Sequence, residues 1–445
     1  MARSTWRRVA AFGAGATLVL ATSGCLQSSD DDGGGGGGGG VSSGEKEDGT
    51  VTILGAFGGA EKAAFEESLA AFEEESGIDV EYTEDTDFTT TVVQRVEAGD
   101  APDIGLFPQP GGLLDLSEDI VPLDDVIDVS AIESTLIPGF LEAATKDGAV
   151  YGAPMRMAVK SIVWYPKPAF EEAGYSTEVA TYQDLVAESE RIAADGTTPW
   201  CMGWESDQAT GWVGTDWLEE MVLRVAGPEV YDQWVTHEIP FNDPQIVEAL
   251  DAAGEILKND ELVQGGADGI LNTNFADAMT PALSGGDPSC YLHRQGNFAT
   301  GFYPEEVQAD LDGTVGTFYF PAYEGGYDGQ PVLGGGDLAA AFMADDPEVE
   351  QVMEFLTSDQ FGAEWAGAGG WLSPHATFDA STYADETTRT IAQSAAEADV
   401  FRFDGSDLMP KAVGSGSFWT GMVDWIGGQS SQETLDAIEA SWPSS

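Results

Sequence analysis

The stretch from Trp200 to Trp217 concentrates side chains that could bind a carbohydrate. It holds four of the twelve tryptophans of the chain, together with two carboxylates, Glu205 and Asp216. The flat face of an indole packs against the C–H face of a sugar, and a carboxylate accepts hydrogen bonds from sugar hydroxyls. The tryptophans share no single face of a helix or strand, so the pattern predicts an irregular loop. The alternative is that these rings fill a core beneath the loop, as buried Trp commonly does.

The composition of the chain limits its possible partners. With 445 residues and a hydrophobic content of 42%, the chain is long enough to fold into two lobes, each with its own core. The 78 acidic residues against 17 basic ones leave a net charge of −61, which excludes a basic face for nucleic acid. So negative a surface also suits a protein kept soluble in concentrated salt, where screening relieves self-repulsion.

The N-terminus resembles the export signal of a lipoprotein. Arginines precede the short apolar segment Val9–Leu20, and small residues then lead to Cys25. We expect residues 1–24 to form a signal peptide, and residues 25–49 to comprise a lipidated Cys25 and a flexible Gly-rich tether. The apolar segment is too short to span a bilayer. The pattern therefore predicts an extracytoplasmic body that a lipid anchor holds at the cell membrane.

The body of the chain begins with a strand–helix–strand pattern. Val51–Phe57 reads as a strand, Glu61–Gly77 as an amphipathic helix with a glycine C-cap, and Ile78–Tyr82 as a second strand. This order predicts a parallel sheet, with a ligand beyond the carboxyl ends of its strands. Phe57 and Gly59 lie at such an end and are therefore candidate ligand-binding residues.

Several motifs, in order along the chain, resemble those of extracellular solute-binding proteins of ABC importers. The run AGDAPDI at 98–104 resembles a segment that ends a helix and begins a strand in that family. The runs YGAP at 151–154 and IVWY at 162–165 resemble the segments around the first crossing between lobes. The Trp-rich stretch at 200–217 and the run SCYLHRQG at 289–296 resemble the branch of sucrose-, maltose- and trehalose-binding proteins.

This resemblance implies an α/β fold of the two-lobed periplasmic-binding-protein type II class, hinged around an interlobe ligand cleft. Lobe 1 would comprise residues 50–157 and 333–374, and lobe 2 residues 158–332 and 375–445. Three crossings would connect the lobes, the first near Met157–Lys160. A sugar that contacts both lobes would then favour the closed form.

The resemblance and the residue chemistry together nominate a set of ligand-binding residues. The aromatic candidates are Phe57, Trp164, Trp204, Trp212, Trp371 and Trp419. The polar candidates are Gln109, Arg156, Glu205, Asp216 and Asp337, and the glycines that would let a ligand approach the backbone are Gly59, Gly335 and Gly336. Arg156 could instead only neutralise nearby acids. Trp200 and Trp217 are expected to be structural.

Cysteine and histidine are scarce. Cys201 and Cys290 are the only cysteines after Cys25, and in an exported protein such a pair predicts a disulfide, with two buried thiols as the alternative. The three histidines form no metal-binding motif, and no nucleophile motif occurs. The sequence therefore predicts neither a metal nor a cofactor.

The function that the resemblance implies is transport rather than catalysis. The protein would be a monomer that captures an oligosaccharide, an α-glucoside such as maltose, trehalose or sucrose. It would deliver this sugar to the membrane subunits of an ABC permease. Two other classes stay open, an exported glycoside hydrolase that uses paired carboxylates and a cell-surface lectin without a transport role.

Overall fold

The computed structural model describes residues 49–137 and 139–443. The predicted signal peptide, Cys25 and nearly all of the tether lie outside these residues. The strands are β1 (Thr50–Gly55), β2 (Asp79–Glu84), β3 (Ile104–Phe107), β4 (Thr145–Lys146), β5 (Ala149–Val150), β6 (Ala153–Val159), β7 (Ile162–Pro166), β8 (His293–Arg294), β9 (Val315–Tyr319), β10 (Pro331–Ala341) and β11 (Val400–Phe403). The helices of six or more residues are α1 (Gly59–Ser76), α2 (Phe88–Ala98), α3 (Pro110–Asp115), α4 (Lys167–Ala173), α5 (Tyr182–Ala194), α6 (Trp212–Val225), α7 (Pro228–Val235), α8 (Pro244–Leu257), α9 (Gly266–Asn272), α10 (Pro347–Leu356), α11 (Ala363–Ala368), α12 (Glu386–Ala396), α13 (Trp419–Ile426) and α14 (Ser431–Glu439).

The larger sheet has the strand order β11-β10-β3-β1-β2, with β6 also paired to β10. Strand β1 runs parallel to β2 and β3, which confirms the parallel sheet predicted from the strand–helix–strand pattern. Strand β10 runs antiparallel to β3 and β6. The carboxyl ends of β1, β3 and β6 therefore point the same way, and the loops that follow them meet at one edge.

Helix α1 shows how local sequence builds this lobe. Phe65 and Leu69 are buried, and each buried side chain of this size contributes about 1.5–3 kcal/mol of hydrophobic stabilisation. The helix ends at Gly77, whose φ of 78° lies in the left-handed region and whose N–H donates to the Glu73 carbonyl. Glycine adopts this conformation without a steric penalty. The predicted C-cap is confirmed.

A second, three-stranded sheet has the order β8-β7-β9. The chain passes from the larger sheet to this one at Lys160 and Ser161, between β6 and β7, next to the predicted first crossing. Strand β11 pairs with β10 in the larger sheet, although the sequence interpretation assigned 375–445 to the second lobe. The exact lobe boundaries stay a prediction.

The Trp-rich stretch is not wholly a loop, because α6 begins at Trp212. The loop prediction was wrong for this second half for a physical reason. Only the first six residues of α6, Trp212–Trp217, fall within the stretch, which is fewer than two turns and too short to show a helical period. Trp200 and Trp217 are fully buried and meet edge to face, as expected of structural residues.

The predicted disulfide between Cys201 and Cys290 is confirmed. Its cysteines are separated by 89 residues and both are fully buried. In the loop-entropy model, closing a loop of this length stabilises the fold by about 4–5 kcal/mol. The bridge attaches the beginning of the Trp-rich stretch to the segment that leads into β8.

Candidate functional site

One group of candidates lies where β6 and β10 pair at the carboxyl edge of the larger sheet. Arg156 on β6 is the register partner of Asp337 on β10. Its Nε donates to Asp337 Oδ2 at 2.6 Å, and its Nη1 donates to Glu61 Oε1, also at 2.6 Å. The guanidinium lies over the rings of Phe57 and Trp365, at 4.6 and 5.3 Å from their centroids. Phe57, Arg156 and Asp337, three of the nominated ligand-binding residues, therefore lie together.

The electrostatics of this group stabilise the charge of Arg156. Burial alone would lower the pKa of Arg156, but the carboxylates of Asp337 and Glu61 outweigh it and raise that pKa. Burial raises the pKa of Asp337, and Arg156 partly offsets the effect. The side chain of Glu61 is 32% exposed and that of Arg156 16%, so the group can offer both donors and acceptors to hydroxyls from one open side.

A second group surrounds Lys160 at the crossing between the sheets. Its Nζ lies 2.9 Å from Asp216 Oδ1 and 2.5 Å from Asp404 Oδ2. The ammonium also lies 5.1 Å from the ring centroid of Trp212, a cation–π distance. Asp216, which the sequence nominated as a ligand-binding acceptor, is almost fully buried and is instead engaged with Lys160.

Trp212 opens onto an aromatic surface that the sequence analysis missed. Its ring centroid lies 5.2 Å from that of Phe275 and 6.1 Å from that of Phe298. Phe302 continues the surface 5.5 Å from Phe275 and is the large apolar side chain most open to solvent in the described residues, at 36% exposure. Phe275 lies in an irregular segment, whereas Phe298 and Phe302 lie in a short 3₁₀ helix, Asn297–Phe302; no local sequence pattern distinguishes these rings from core rings.

Glu205 lies beside this aromatic surface. Its carboxylate accepts from the Asp207 N–H at 2.9 Å and from Asn274 Nδ2 at 2.7 Å. These two hydrogen bonds, the first being the stronger influence, lower the pKa of Glu205. The carboxylate is therefore ionised and still partly exposed, which suits an acceptor for hydroxyls.

Gln109 and Trp419 keep polar atoms without a partner among the described residues. Gln109 Oε1 is buried and accepts no hydrogen bond there, and Trp419 Nε1 donates none. Gln109 lines a small cavity with Thr89 and Lys411, where Lys411 Nζ donates to the Thr89 carbonyl at 3.2 Å. The Trp419 backbone packs directly against Gly211, where a Cβ would lie 2.3 Å from the Trp419 carbonyl oxygen. Each of these two residues therefore keeps one buried polar atom that no described residue satisfies.

Three of the nominated tryptophans lie in the core. Trp164 and Trp204 are 0% exposed and Trp371 is 1% exposed. Trp204 packs against Gly214, where an added Cβ would meet the ring at 2.6 Å, and Trp371 packs in the same way against Gly362. These rings present no face to a ligand in this structure, because glycines let neighbouring backbone close over them.

Of the three nominated glycines, two face neighbouring protein atoms and one is exposed to solvent. An added Cβ on Gly336 would lie 2.2 Å from the Arg156 carbonyl oxygen, and one on Gly335 would lie 3.0 Å from Asp404 Oδ2. Both glycines therefore accommodate neighbouring protein atoms. Gly59 is exposed at the start of α1, two residues before Glu61.

The described residues contain one group of carboxylates close enough to hold a metal ion. One oxygen each from Asp216, Glu219 and Asp404 lie within 4.8 Å of one another. Burial, reinforced by Asp216, raises the pKa of Glu219 to about 8. Buried His293 lies outside this group, and its Nδ1 lies 2.9 Å from the Cys201 carbonyl.

Comparison with known proteins identifies the family. The sequence profile of the bacterial extracellular solute-binding proteins matches residues 58–363. The chain is 43% identical over 403 residues to the osmoprotective compounds-binding protein GgtB of Synechocystis sp., covering 90% of this chain and 94% of the relative. It is 37% identical over 404 residues to the alpha-glucosides-binding periplasmic protein AglE of Rhizobium meliloti, covering 89% of this chain and 87% of the relative.

Solved structures agree on the fold. A protein of xylan utilisation from the thermophile Caldanaerobius polysaccharolyticus superposes with a TM-score of 0.74 at 17% identity, covering 88% of this chain and 99% of the other. Maltose-bound MalE3 of T. maritima superposes with a TM-score of 0.65 at 17% identity, covering 88% and 98%. At such low identity these likenesses concern the fold alone, and they confirm the predicted two-lobed type II fold. The chain belongs to the bacterial extracellular solute-binding proteins.

Proposed function

We propose that this protein is the substrate-binding component of an ABC importer, which captures an α-glucoside and delivers it to a membrane permease. The observation that carries the proposal is the similarity, over about nine-tenths of the chain, to one binding protein for osmoprotective compounds and one for alpha-glucosides. Trehalose and sucrose are α-glucosides that also act as osmoprotectants, so they fit both descriptions. They are therefore the first ligands to test, with maltose.

The geometry supports a sugar ligand through two complementary surfaces. Arg156, Asp337 and Glu61 offer charged donors and acceptors at the edge of the larger sheet. Trp212 and Phe302 belong to an aromatic surface carried by the second part of the fold. A sugar held by both would gain hydroxyl hydrogen bonds on one side and C–H contacts on the other. Contacts made to both sides at once favour a closed form.

The hydrolase alternative depends on paired carboxylates, and Asp216 and Glu219 are such a pair. However, Asp216 is only 2% exposed and Glu219 is 0% exposed. One oxygen of Asp216 faces Lys160, and Glu219 Oε1 accepts from the Ser406 N–H at 2.8 Å. A glycosidic oxygen has no access to an acid in this position, which supports binding over cleavage.

One titration tests both functions. Purified protein is mixed with trehalose, sucrose or maltose while Trp fluorescence and free glucose are followed. We expect a saturable fluorescence change and no glucose, whereas release of glucose would establish the hydrolase instead. If none of the three sugars changes the signal, the α-glucoside proposal is wrong.

Matched tryptophan variants locate the binding site. Trp212→Ala removes the centre of the aromatic surface, and we expect about tenfold or greater loss of affinity, since a buried stacking contact contributes about 0.5–1.5 kcal/mol beyond its area. Trp442→Phe is the control, because Trp442 stacks on His237 at 4.1 Å and packs against Phe241. Equal affinity in the two variants would remove Trp212 from the site.

Membrane attachment belongs to the same proposal. Among the residues that the structure describes, no helix has the length and apolar character needed to cross a membrane. We propose that lipidation of Cys25 anchors the protein outside the cytoplasm. Cys25→Ser should shift the protein from the membrane fraction to the medium or periplasm with unchanged sugar affinity, and continued membrane retention would contradict the anchor.

A further inference from the structure

Four acidic side chains meet around one ammonium group at the crossing between the two sheets. Asp216 and Asp404 pair with Lys160 directly. Glu219 lies one turn of α6 after Asp216, and Asp407 faces the same group from the helical turn after β11. At full ionisation the carboxylates carry four negative charges against one positive charge. A buried charge without a partner is costly, so the excess negative charge is removed either by protonation, which the raised pKa of Glu219 reflects, or by a bound cation that displaces those protons.

The neighbouring residue Glu220 shows what a compensated buried carboxylate looks like in this helix. Its Oε1 lies 2.7 Å from Arg224 Nη2, and its Oε2 lies 2.9 Å from Arg294 Nη2. The Ser161 hydroxyl also donates to this carboxylate, at 2.8 Å. Glu220 therefore has two guanidinium groups to itself, while Lys160 is shared among four acids.

Three carboxylates in this group each have an oxygen that lacks a hydrogen-bond partner among the described residues. Asp216 Oδ2, Glu219 Oε2 and Asp404 Oδ1 are buried and accept no hydrogen bond from the described residues. The three residues are 2%, 0% and 1% exposed, and the candidate ligand oxygens of the three lie within 4.8 Å of one another. Each of the three residues thus brings one buried, unsatisfied acceptor to the same group of carboxylates.

We propose that Asp216, Glu219 and Asp404 bind a hard divalent cation, Ca²⁺. Calcium takes carboxylate oxygens at about 2.3–2.6 Å and about six to eight oxygen ligands in a flexible geometry, so waters or backbone carbonyls would complete its coordination. Mg²⁺ demands near-ideal octahedral geometry and usually binds through one or two carboxylates, so three carboxylates on two separate elements favour Ca²⁺. The absence of His and Cys from the group disfavours Zn²⁺.

The site would connect the two halves of the fold. Asp404 follows β11, and its N–H donates to the Gly334 carbonyl on β10 of the larger sheet. Asp216 and Glu219 lie on α6, which packs in the second core. A cation bound by all three therefore links β11 to α6 beside the crossing at Lys160. This inference goes beyond the proposed sugar transport and does not depend on the identity of the sugar.

The test measures binding of Ca²⁺ itself to the purified chain after treatment with a chelator. A background of about 1 M KCl, where the Debye length is about 3 Å, suppresses diffuse binding to the acidic surface. Isothermal titration should then show one saturable Ca²⁺ site, and Ca²⁺ should raise the midpoint of thermal unfolding. Absence of a saturable site in the wild-type protein would overturn the proposal.

Charge-matched variants locate the ion. Glu219→Gln keeps the shape of the side chain and removes one ligand charge, so Ca²⁺ affinity should fall roughly tenfold or more. Glu255→Gln removes the same charge from an exposed position on α8 and should leave affinity unchanged. Asp404→Asn provides the second test if Glu219→Gln does not fold. Equal Ca²⁺ affinity in the wild-type protein and in a folded site variant would overturn the assignment, whatever the sugar titration shows.

Discussion

The buried pairing of Glu220 with two arginines predicts a large loss of stability when its charge alone is removed. Glu220→Gln preserves the size of the side chain but leaves Arg224 and Arg294, each 1% exposed, without their shared carboxylate. Breaking a buried ion pair by removing one partner costs about 3–5 kcal/mol, because the remaining charge stays desolvated. The Ser161 hydroxyl, which donates to Glu220 at the crossing, also loses its ionic acceptor.

A surface pair in the same chain provides the control. Glu188 and Arg191 lie one helical turn apart at 2.7 Å, with 44% of the arginine side chain exposed. Exposed pairs of this kind contribute about 0–1 kcal/mol. Glu188→Gln therefore removes the same charge and an equally short pair at a small cost, so a difference between the variants reports burial alone.

Urea unfolding at constant KCl measures both variants, since urea does not change the ionic strength. The free energy of unfolding of Glu220→Gln should fall by about 3–5 kcal/mol and that of Glu188→Gln by less than about 1 kcal/mol. The deficit of Glu220→Gln should persist in about 1 M KCl, because salt screens buried pairs much less than exposed ones. Equal losses in the two variants would refute the reasoning that burial sets the value of this network.

Three further predictions concern the aromatic surface, the disulfide and His293. Phe302→Ala should weaken sugar binding severalfold and leave the unfolding midpoint unchanged, since the ring is 36% exposed; unchanged affinity in titration calorimetry would remove it from the site. Cys201→Ala with Cys290→Ala should lower the free energy of unfolding by up to about 4–5 kcal/mol, and a loss below about 1 kcal/mol in urea would contradict the loop-entropy argument. Burial lowers the pKa of His293 to about 4 from its ordinary value of 6.5, so the unfolded chain binds the extra proton between these values and stability falls as the pH falls. This group should change the free energy of unfolding by about 1.4 kcal/mol per pH unit at most, and the contribution should be absent in His293→Gln. An equal dependence of the unfolding free energy on pH in that variant would assign the effect to other groups.

Local patterns predicted the first part of the fold well. The first helix, its glycine cap at Gly77 and the parallel pairing of β1 with β2 all follow from period, capping and connection rules that act within a few turns of chain. The loop predicted for residues 212–217 was wrong because they make fewer than two turns of α6, too few for a period to be read. The disulfide followed from cysteine count and export.

The candidate site was predicted only in part. The nominated residues Phe57, Arg156 and Asp337 lie together, and Trp212 contributes to a partly open aromatic surface; their roles in ligand binding stay a prediction. Trp164, Trp204 and Trp371 were nominated because of their type, yet packing placed them in the core. Phe275, Phe298 and Phe302 carry no local pattern that separates a surface ring from a core ring, so their grouping around Trp212 emerges only from the fold. The proposed cation site was invisible for a related reason, because an oxygen-only site lacks the His and Cys spacing that marks transition metals.

The sequence by itself determined the class of the protein, since composition and the order of short motifs are properties of the chain read in one dimension. It also determined the elements whose periodicity and caps are local. Only the tertiary structure decided which side chains face a ligand and which face the core, because burial depends on contacts between residues far apart in sequence. The same holds for charge: Glu219 and Glu220 are adjacent in the chain, yet one meets two arginines and the other meets acids, since successive residues of a buried helix point about 100° apart into different surroundings.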